Sequence, residues 1–185
     1  MEAINVGIMG LGVVGSGVAK LLLEKKELLA SRTGAALNLE AIADIDTTTD
    51  RGIDLGNTRL INDARELIDN PRIDIIVETI GGETIARELI QAALDNKKHV
   101  VTANKALLAA HGNTLVKTAR KNGVDLAFEA SCGGCMPIIK TLRESLVAND
   151  IQSMSGILNG TCNYILSRIT AEGSEFETTL KDAQD

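Results

Sequence analysis

Three glycines near the start of the chain have the spacing of a phosphate-binding turn. Gly10, Gly12 and Gly15 lie between an apolar run and a long helical pattern. In such a unit the first glycine permits a tight turn, the second lets the backbone approach a diphosphate, and the third lets the helix pack on the strand. The helix N-terminus would then bind the anion without a basic side chain. The turn therefore predicts a dinucleotide site, and the alternative is a glycine-rich turn that serves packing alone.

Charged residues after the second predicted strand bear on which dinucleotide is bound. Asp44 and Asp46 follow the predicted strand 38–43. In a Rossmann unit a carboxylate at this point hydrogen-bonds the adenosine ribose and repels a 2′-phosphate, which favours NAD over NADP. Arg51 is close enough in sequence to accept that phosphate instead, and Asp44 could equally be a turn-forming loop residue. The choice between NAD and NADP therefore stays open.

Two cysteines have a spacing that can carry redox or metal chemistry. Cys132 and Cys135 form a Cys-Gly-Gly-Cys sequence, which occurs in redox dithiols and in half of a zinc site. Cys162 is the only other thiol and the chain has two histidines, so spacing does not support a complete zinc set. We expect small packing residues here, with redox or metal chemistry as the alternative.

The composition is that of a globular protein with a sizeable core. Of 185 residues, 44% are hydrophobic, and 25 acidic against 19 basic residues give a net charge of -6 without a Lys/Arg cluster. These values argue against a disordered chain, and against nucleic acid or an anionic membrane as the main partner. No apolar run approaches the ~20 residues of a membrane span and no signal peptide is evident, so we expect a cytoplasmic protein with reduced thiols.

The first part of the chain alternates predicted strands and helices. After the strand that enters the glycine turn, strands are predicted at 38–43, 73–78, 99–102 and 124–129. Helices are predicted at 13–29, 64–68 and 84–95, and another after His111-Gly112 that ends at Asn122-Gly123. This alternation predicts an α/β fold with a doubly wound parallel sheet, in which ligands contact the carboxyl ends of the strands.

The pattern changes after Ser131. We predict helices at 138–147 and 162–169, a strand at 151–157, and a last helix that starts from the capping-box sequence 174–177. We place a domain boundary at residue 135 and expect 136–185 to begin a second, incomplete α+β domain, because the last helix is not followed by a closing strand. Apolar residues of 151–157 and of the helix after it would be exposed, so we expect a dimer.

Three blocks beyond the glycine turn carry a resemblance to a known family. They are residues 101–109, residues 128–139 with the pattern Phe128-Glu129-Ala130-Ser131 before Met136-Pro137-Ile138-Ile139, and residues 156–166. Together with the glycines they resemble homoserine dehydrogenase over essentially the whole chain. The resemblance implies reduction of aspartate semialdehyde to homoserine with NAD(P)H, on the route to threonine, methionine and isoleucine.

The resemblance also implies roles for individual residues near the cofactor. Lys105 would lie at the nicotinamide as a catalytic lysine. Hydride addition to an aldehyde leaves a developing alkoxide, which needs a cation or proton donor within hydrogen-bond reach. The alternative is a solvated lysine in the first turn of a helix, a poor position for the helix dipole. The implied cofactor contacts are Gly10, Leu11, Gly12, Val13, Val14, Gly15, Asp44, Thr79, Ile80, Gly81, Thr102, Asn104 and Lys105.

Further roles follow from the same resemblance. It implies a structural sodium ion, since hard cations prefer oxygen ligands, and the ligands would be the backbone carbonyls of Glu129, Cys132, Gly134 and Met136. Gly160 and Thr161 would help to bind the amino-acid substrate. The family's remaining catalytic residues, an acidic substrate ligand and an aspartate/lysine pair, would come after residue 185, so we expect this chain to lack part of the catalytic site. The alternative function is a nucleotide-binding or oligomerisation module without catalysis.

Overall fold

A six-stranded parallel sheet organises the first part of the chain in the computed structural model, which describes residues 2–157 and 159–184. The strands are β1 (Glu2–Met9), β2 (Ala35–Ala43), β3 (Arg59–Ile61), β4 (Ile75–Glu78), β5 (His99–Thr102) and β6 (Leu126–Ala127). Their order is β3-β2-β1-β4-β5-β6, and every neighbouring pair is parallel. The chain therefore builds outward from β1 in both directions, which confirms the doubly wound sheet.

Helices pack on both faces of this sheet. They are α1 (Val13–Glu24), α2 (Lys26–Thr33), α3 (Arg65–Asp69), α4 (Thr84–Asp95) and α5 (Lys105–Asn122). On one face Ile8 packs with Leu22 of α1. On the other, Met9 packs with Ile90 of α4 and Leu107 of α5. Because adjacent residues of a strand point to opposite faces, β1 contributes to both layers and lies at the centre of the core.

The predicted single helix at 13–29 is wrong, because two helices occupy this stretch. Lys25 leaves helical geometry with φ -112° and ψ 24°, so α1 ends at Glu24 and α2 begins at Lys26. Apolar residues continue at helical spacing across the break, and Leu29 of α2 still packs on the α1 layer. Periodicity alone therefore does not detect the break.

The predicted start of the next long helix after His111-Gly112 is also wrong. Helix α5 begins at Lys105, because the side-chain oxygen of Asn104 accepts a hydrogen bond from the N–H of Leu107 at 3.1 Å and caps the helix. Both His111 and Gly112 lie inside α5. Its predicted end is confirmed, since Gly123 has the left-handed conformation with φ 69°.

Agreement is closest where short elements are bounded by clear stop signals. The helix at 84–95 and the strand at 99–102 have the predicted bounds. Strand β4 starts two residues later than predicted and β2 three residues earlier. The predicted strand 124–129 is reduced to Leu126–Ala127, and a 3-10 turn at Glu129–Ser131 follows it.

Residues from Cys132 onward form a second compact unit, distinct from the one that ends at Ser131. It contains α6 (Ile138–Lys140), a π-helical turn at Thr141–Ser145, α7 (Gly160–Glu172) and α8 (Phe176–Gln184). The predicted strand at 151–157 is wrong, because those residues have no regular structure. A strand needs a neighbouring strand for its backbone hydrogen bonds, and the described part of this unit supplies none.

Among the described residues, no helix has both the length and the apolar character that crossing a bilayer requires.

Candidate functional site

In the glycine turn after β1, two glycines are needed for packing and one faces the space where a ligand can enter. Gly10 has φ 95°, and its N–H donates to the carbonyl of Ala43 at 2.8 Å. A Cβ on Gly15 would lie 1.9 Å from the carbonyl oxygen of Gly10, whereas a Cβ on Gly12 would meet nothing within 4 Å. The first and third glycines are therefore required by the close approach of helix and turn, and the second faces open space.

The start of α1 provides the groups that an anion needs. Gly12 is the N-cap residue, and within the described chain no side chain caps this end of the helix. The N–H groups of the first turn, which includes Val13 and Val14, have no partner inside the helix. The positive end of the helix dipole and the available N–H donors of the first turn favour the binding of a phosphate here.

Thr79, at the end of β4, joins this turn to the neighbouring strand. The single hydrogen of its hydroxyl is shared between the carbonyl of Gly10 at 2.8 Å and that of Met9 at 3.1 Å. Its own N–H donates to the carbonyl of Met9 at 2.8 Å. The junction of β1 and β4 is where the strand order reverses, and ligands of open α/β sheets bind at such a point.

A cleft of about 500 Å³ opens beside the turn. Its lining includes Gly10, Gly12, Ala43, Asp44, Ile45, Asn62, Asp63, Ala64, Arg65, Thr79, Ile80, Ile85, Glu88 and Leu89. Ile45 is 96% exposed, and Ile80 and Ile85 are also exposed although they are large and apolar. Apolar side chains next to carboxylates suit a ligand that combines a flat ring with hydroxyl groups.

Asp44 is fixed at the edge of this cleft. One carboxylate oxygen accepts from the N–H of Leu11 in the glycine turn, and the other accepts from the N–H of Asp46 at 2.8 Å. The carboxylate is therefore held next to the turn by backbone donors. A charged acceptor in this position can receive hydrogen bonds from a ribose.

Arg51 is occupied by another carboxylate. Its guanidinium lies 3.0 Å from Asp46, and Arg51 is not among the residues that line the cleft. Hydrogen bonds from the Thr49 side chain, and from the N–H groups of Thr49 and Thr48, hold the pKa of Asp46 well below its ordinary value. Asp46 thus stays charged and remains a partner for Arg51.

Glu78 is a buried carboxylate at the end of β4 that the sequence analysis did not select. It is 0% exposed, and one oxygen accepts from the N–H groups of Ile80 at 2.9 Å and Gly81 at 3.0 Å. The other oxygen accepts from the hydroxyl of Thr102 at 2.5 Å. A glutamate at the end of an apolar parallel strand was the available signal, since such a strand is buried on both faces.

The predicted residues at the end of β5 lie on the other side of β4 from the cleft. Thr102 is buried, and Lys105 is the exposed first residue of α5, outside the lining of the cleft. Strands β1 and β5 both neighbour β4, so about 10 Å separates the glycine turn from the end of β5. An extended dinucleotide spans such a distance along the edge of a sheet.

The predicted substrate residues lie in the second unit. Gly160 and Thr161 begin α7, and with Tyr164, Asp182 and Ala183 they line a cavity of about 380 Å³ between α7 and α8. The side chain of Asn159 caps α7 by accepting from the N–H of Cys162 at 2.8 Å.

The predicted sodium ligands are divided between the two units. Glu129 lies in the first unit, and Cys132, Gly134 and Met136 lie in the second. The carbonyl of Met136 accepts from the N–H of Ile138 at 2.8 Å. Among the described residues Cys132, Cys135 and Cys162 form no disulfide, and no group of three or more His, Cys, Asp or Glu side chains could hold a metal ion.

Two family models match the chain. Residues 10–129 match the NAD binding domain of homoserine dehydrogenase, and residues 137–185 match a second model, described as homoserine dehydrogenase. A homoserine dehydrogenase of Bacillus subtilis is 42% identical over 185 residues, which is all of this chain and 43% of that protein. One from Pseudomonas aeruginosa is 45% identical over 184 residues, 42% of its length. The chain thus spans less than half the length of these curated relatives.

Solved structures of homoserine dehydrogenases also superpose on this chain. A homoserine dehydrogenase from Thiobacillus denitrificans superposes with a TM-score of 0.87 at 43% identity, over 100% of this chain and 42% of that one. A hyperthermophilic archaeal homoserine dehydrogenase in complex with NADPH superposes with a TM-score of 0.77 at 25% identity, over 98% of this chain and 60% of that one.

Proposed function

The chain belongs to the homoserine dehydrogenase family, and from that premise we propose that it forms the cofactor-binding part and the start of the catalytic part of a dehydrogenase that reduces aspartate semialdehyde to homoserine. One observation carries the proposal. The turn at Gly10–Gly15, bonded to Thr79 at the point where strand order reverses, leaves a helix N-terminus uncapped and open at Gly12. This arrangement suits the diphosphate of a nicotinamide dinucleotide.

We propose that the cofactor extends from this turn in two directions. Residues of the cleft, such as Asp44 and Ile45, would hold the adenosine, and residues at the end of β5 and the start of α5 would hold the nicotinamide. The reduced cofactor would supply a hydride to the carbonyl carbon of the aldehyde. The carbonyl oxygen then takes a proton, and the ammonium of Lys105, at the start of α5, is placed to stabilise or protonate it.

We further propose that NADH is preferred over NADPH. Three carboxylates, from Asp44, Asp63 and Glu88, line the cleft against one guanidinium, that of Arg65. A 2′-phosphate would meet a net negative surrounding there, and Arg51 is paired with Asp46. The archaeal relative was crystallised with NADPH, so both nucleotides belong in the test.

The test measures cofactor binding and turnover separately. NADH and NADPH are titrated into the 185-residue chain by fluorescence, and oxidation of homoserine with NAD and NADP is followed at 340 nm. Binding with turnover supports the dehydrogenase as a complete site. Binding without turnover would leave a nucleotide-binding module that needs further residues. If neither nucleotide binds, the proposed function is wrong.

Cofactor preference is tested at Asp44. Asp44→Asn should lower the ratio of NADH to NADPH affinity by about tenfold, because the charge that opposes a 2′-phosphate is removed. Asp54→Asn is the matched control, since Asp54 is an exposed carboxylate that does not line the cleft. An unchanged ratio in Asp44→Asn would contradict the proposed preference.

Three further expectations are proposals on the same premise. The sodium ion at the carbonyls of Glu129, Cys132, Gly134 and Met136 would raise the melting temperature in NaCl relative to KCl.

Homodimer formation is supported by exposed apolar side chains in the second unit, which are Met136, Val147, Ile151, Met154, Ile157 and Leu166. Light scattering that shows only monomer at high concentration would contradict the dimer. A cytoplasmic location stays a prediction, which fractionation of cells would test.

A further inference from the structure

Hydrogen bonds on either side of the adjacent residues Glu78 and Thr79 connect the glycine turn with α5 along the carboxyl edge of the sheet. Thr79 bonds to Gly10, and the adjacent residue Glu78 bonds to Thr102. Thr102 accepts from the N–H of Asn104 at 3.0 Å, and Asn104 caps α5, whose first residue is Lys105. The two ends of this connection are the two places that the proposed function assigns to the diphosphate and to the reacting carbonyl.

From this geometry we infer that Glu78 is a positioning residue for the nicotinamide half of the site, holding the β4–α4 loop and the start of α5 in one fixed arrangement. The inference rests on the proposed function, because it requires the nicotinamide to lie between these two segments. Glu78 has no contact with solvent. It therefore acts only through the backbone and side-chain groups that it holds.

The carboxylate of Glu78 meets only donors. Its partners are the N–H groups of Ile80 and Gly81 and the hydroxyl of Thr102. A carboxylate only accepts hydrogen bonds, so it can accept from all three of these donors. An amide would instead place its N–H groups against at least one of the donors. Hydrogen bonds to a charged group are also stronger than neutral ones. Glu78→Gln would therefore keep the size of the side chain and lose part of this set of hydrogen bonds.

The loop that Glu78 holds has an unusual backbone. Gly81 and Gly82 have φ 78° and 72°, so two consecutive residues are left-handed. Glu78 fixes the N–H of Gly81, and the side-chain amide of Asn104 donates to the carbonyl of Gly82 at 2.6 Å. A Cβ on either glycine would meet nothing within 4 Å, so the loop is anchored from behind and its outer side is open. Anchoring a loop in advance lowers the entropy lost when a ligand binds.

Thr102 connects Glu78 with Asn104, and both bonds of its hydroxyl are used for this connection. Its side chain is 0% exposed, its hydroxyl donates to Glu78, and the same oxygen accepts from Asn104. Thr102 therefore cannot touch a cofactor in this arrangement. Any effect of Thr102 on cofactor binding is exerted through Glu78 and Asn104.

The experiment separates the nicotinamide half from the rest of the cofactor. Affinities of the 185-residue chain for NADH and for ADP-ribose, which lacks the nicotinamide, are measured by calorimetry together with thermal unfolding. The variants are Glu78→Gln and Thr102→Val, with Thr102→Ser as the conservative variant that keeps the hydroxyl. Thr118→Val is the control, because it removes a hydroxyl of α5 that bonds to Gln91 and Thr114 away from the edge of the sheet.

We expect Glu78→Gln and Thr102→Val to weaken NADH binding about tenfold, which corresponds to the loss of one hydrogen bond to a charged group. ADP-ribose affinity should fall less than NADH affinity does. A partial loss is expected because Glu78 also fixes the N–H of Ile80, which lines the cleft assigned to the adenosine. Thr102→Ser and Thr118→Val should bind both ligands as the unchanged chain does. A merely structural role predicts equal losses for both ligands, and that result would overturn the inference, as would NADH affinity that does not change. If Thr102→Val does not fold, the Glu78→Gln result decides. Failure of the unchanged chain to bind either ligand would instead overturn the proposed function, and the inference with it.

Discussion

The two compact units of the chain differ in what holds them together. In the unit that ends at Ser131, two apolar layers enclose a parallel sheet, and side chains such as Ile8, Ile76 and Ile90 are fully buried. In the described residues from Cys132 onward, Ile165 is the single buried apolar side chain. Neighbours such as Met154, Ile157 and Leu166 are exposed. The first unit is thus stabilised by its core, and the second by the local hydrogen bonds and caps of its helices.

This difference decides which parts of the site can be argued from the chain itself. The cofactor edge is built from residues whose positions the core fixes, so distances between Gly10, Thr79, Glu78 and Thr102 describe one arrangement. Gly160 and Thr161 begin α7, a helix with little buried surface. Their assignment to substrate binding therefore rests on membership of the family and not on packing.

The largest expected effect tests the contrast in burial directly. Ile90→Ala should lower the free energy of unfolding by about 3 kcal/mol, because it leaves a cavity where an isoleucine of α4 is 0% exposed. Leu166→Ala, in α7, should change it by less than about 0.5 kcal/mol, since Leu166 is 63% exposed. Urea denaturation at low protein concentration measures both. Equal losses would mean that the second unit has a core which the described residues do not show.

A somewhat smaller effect tests whether close packing or open space explains each glycine of the first unit. Gly15→Ala should cost about 2 kcal/mol and abolish NADH binding, because the added methyl would lie 1.9 Å from the carbonyl of Gly10. Gly17→Ala is the matched control in the same helix. Its Cβ meets nothing within 4 Å, so it should stabilise α1 by about 0.5 kcal/mol and leave binding unchanged. Comparable behaviour of the two variants would show that the turn is not held by helix packing.

The sequence predicted the features that depend on neighbouring residues. The glycine turn, the strand at 99–102 and the helix at 84–95 are each marked by local signals, and the structure has them. The alternation of elements was enough to predict the parallel sheet, because parallel strands need crossover connections. The positions of Gly10 and Gly15 followed from the same pattern, since the close approach of helix and strand requires both.

Features that depend on distant residues were missed. The role of Glu78 becomes visible only when Thr102, 24 residues later, is placed next to it. The predicted strand at 151–157 has apolar residues only at every third position, Ile151, Met154 and Ile157, and it lacks a partner strand among the described residues. The break at Lys25 has no glycine or proline to mark it. Alternation and helical spacing report which residues are apolar, and they do not report what those residues will meet.

The smallest expected effect concerns the charge of a buried lysine in the first unit, and the pKa shifts of basic residues also differ between the two units. Lys98 in the first unit is buried, and its ammonium donates to the carbonyls of Asn70 at 2.7 Å and Ile73 at 2.6 Å. Burial lowers the pKa of Lys98 below its ordinary value of 10.5, and the charge of Asp74 opposes the shift. Arg168 in the second unit contrasts with it, because hydrogen bonds to Tyr164 and Glu172 raise the pKa of this half-buried guanidinium.

The sign of the pH dependence follows from which state holds the proton. Between the lowered pKa of Lys98 and 10.5, the unfolded chain keeps a proton that the folded chain has released, so stability gained from this residue rises with pH. The neutral amine still has two N–H groups for the two carbonyls. We therefore expect the unfolding free energy to rise with pH in this window relative to Lys98→Met, measured by urea denaturation in steps of pH. Lys121→Met, which removes an exposed lysine of α5, should keep the slope of the unchanged chain. If Lys98→Met and the unchanged chain have parallel profiles, Lys98 is solvated in solution and the first unit is less tightly packed at this edge than its buried side chains indicate.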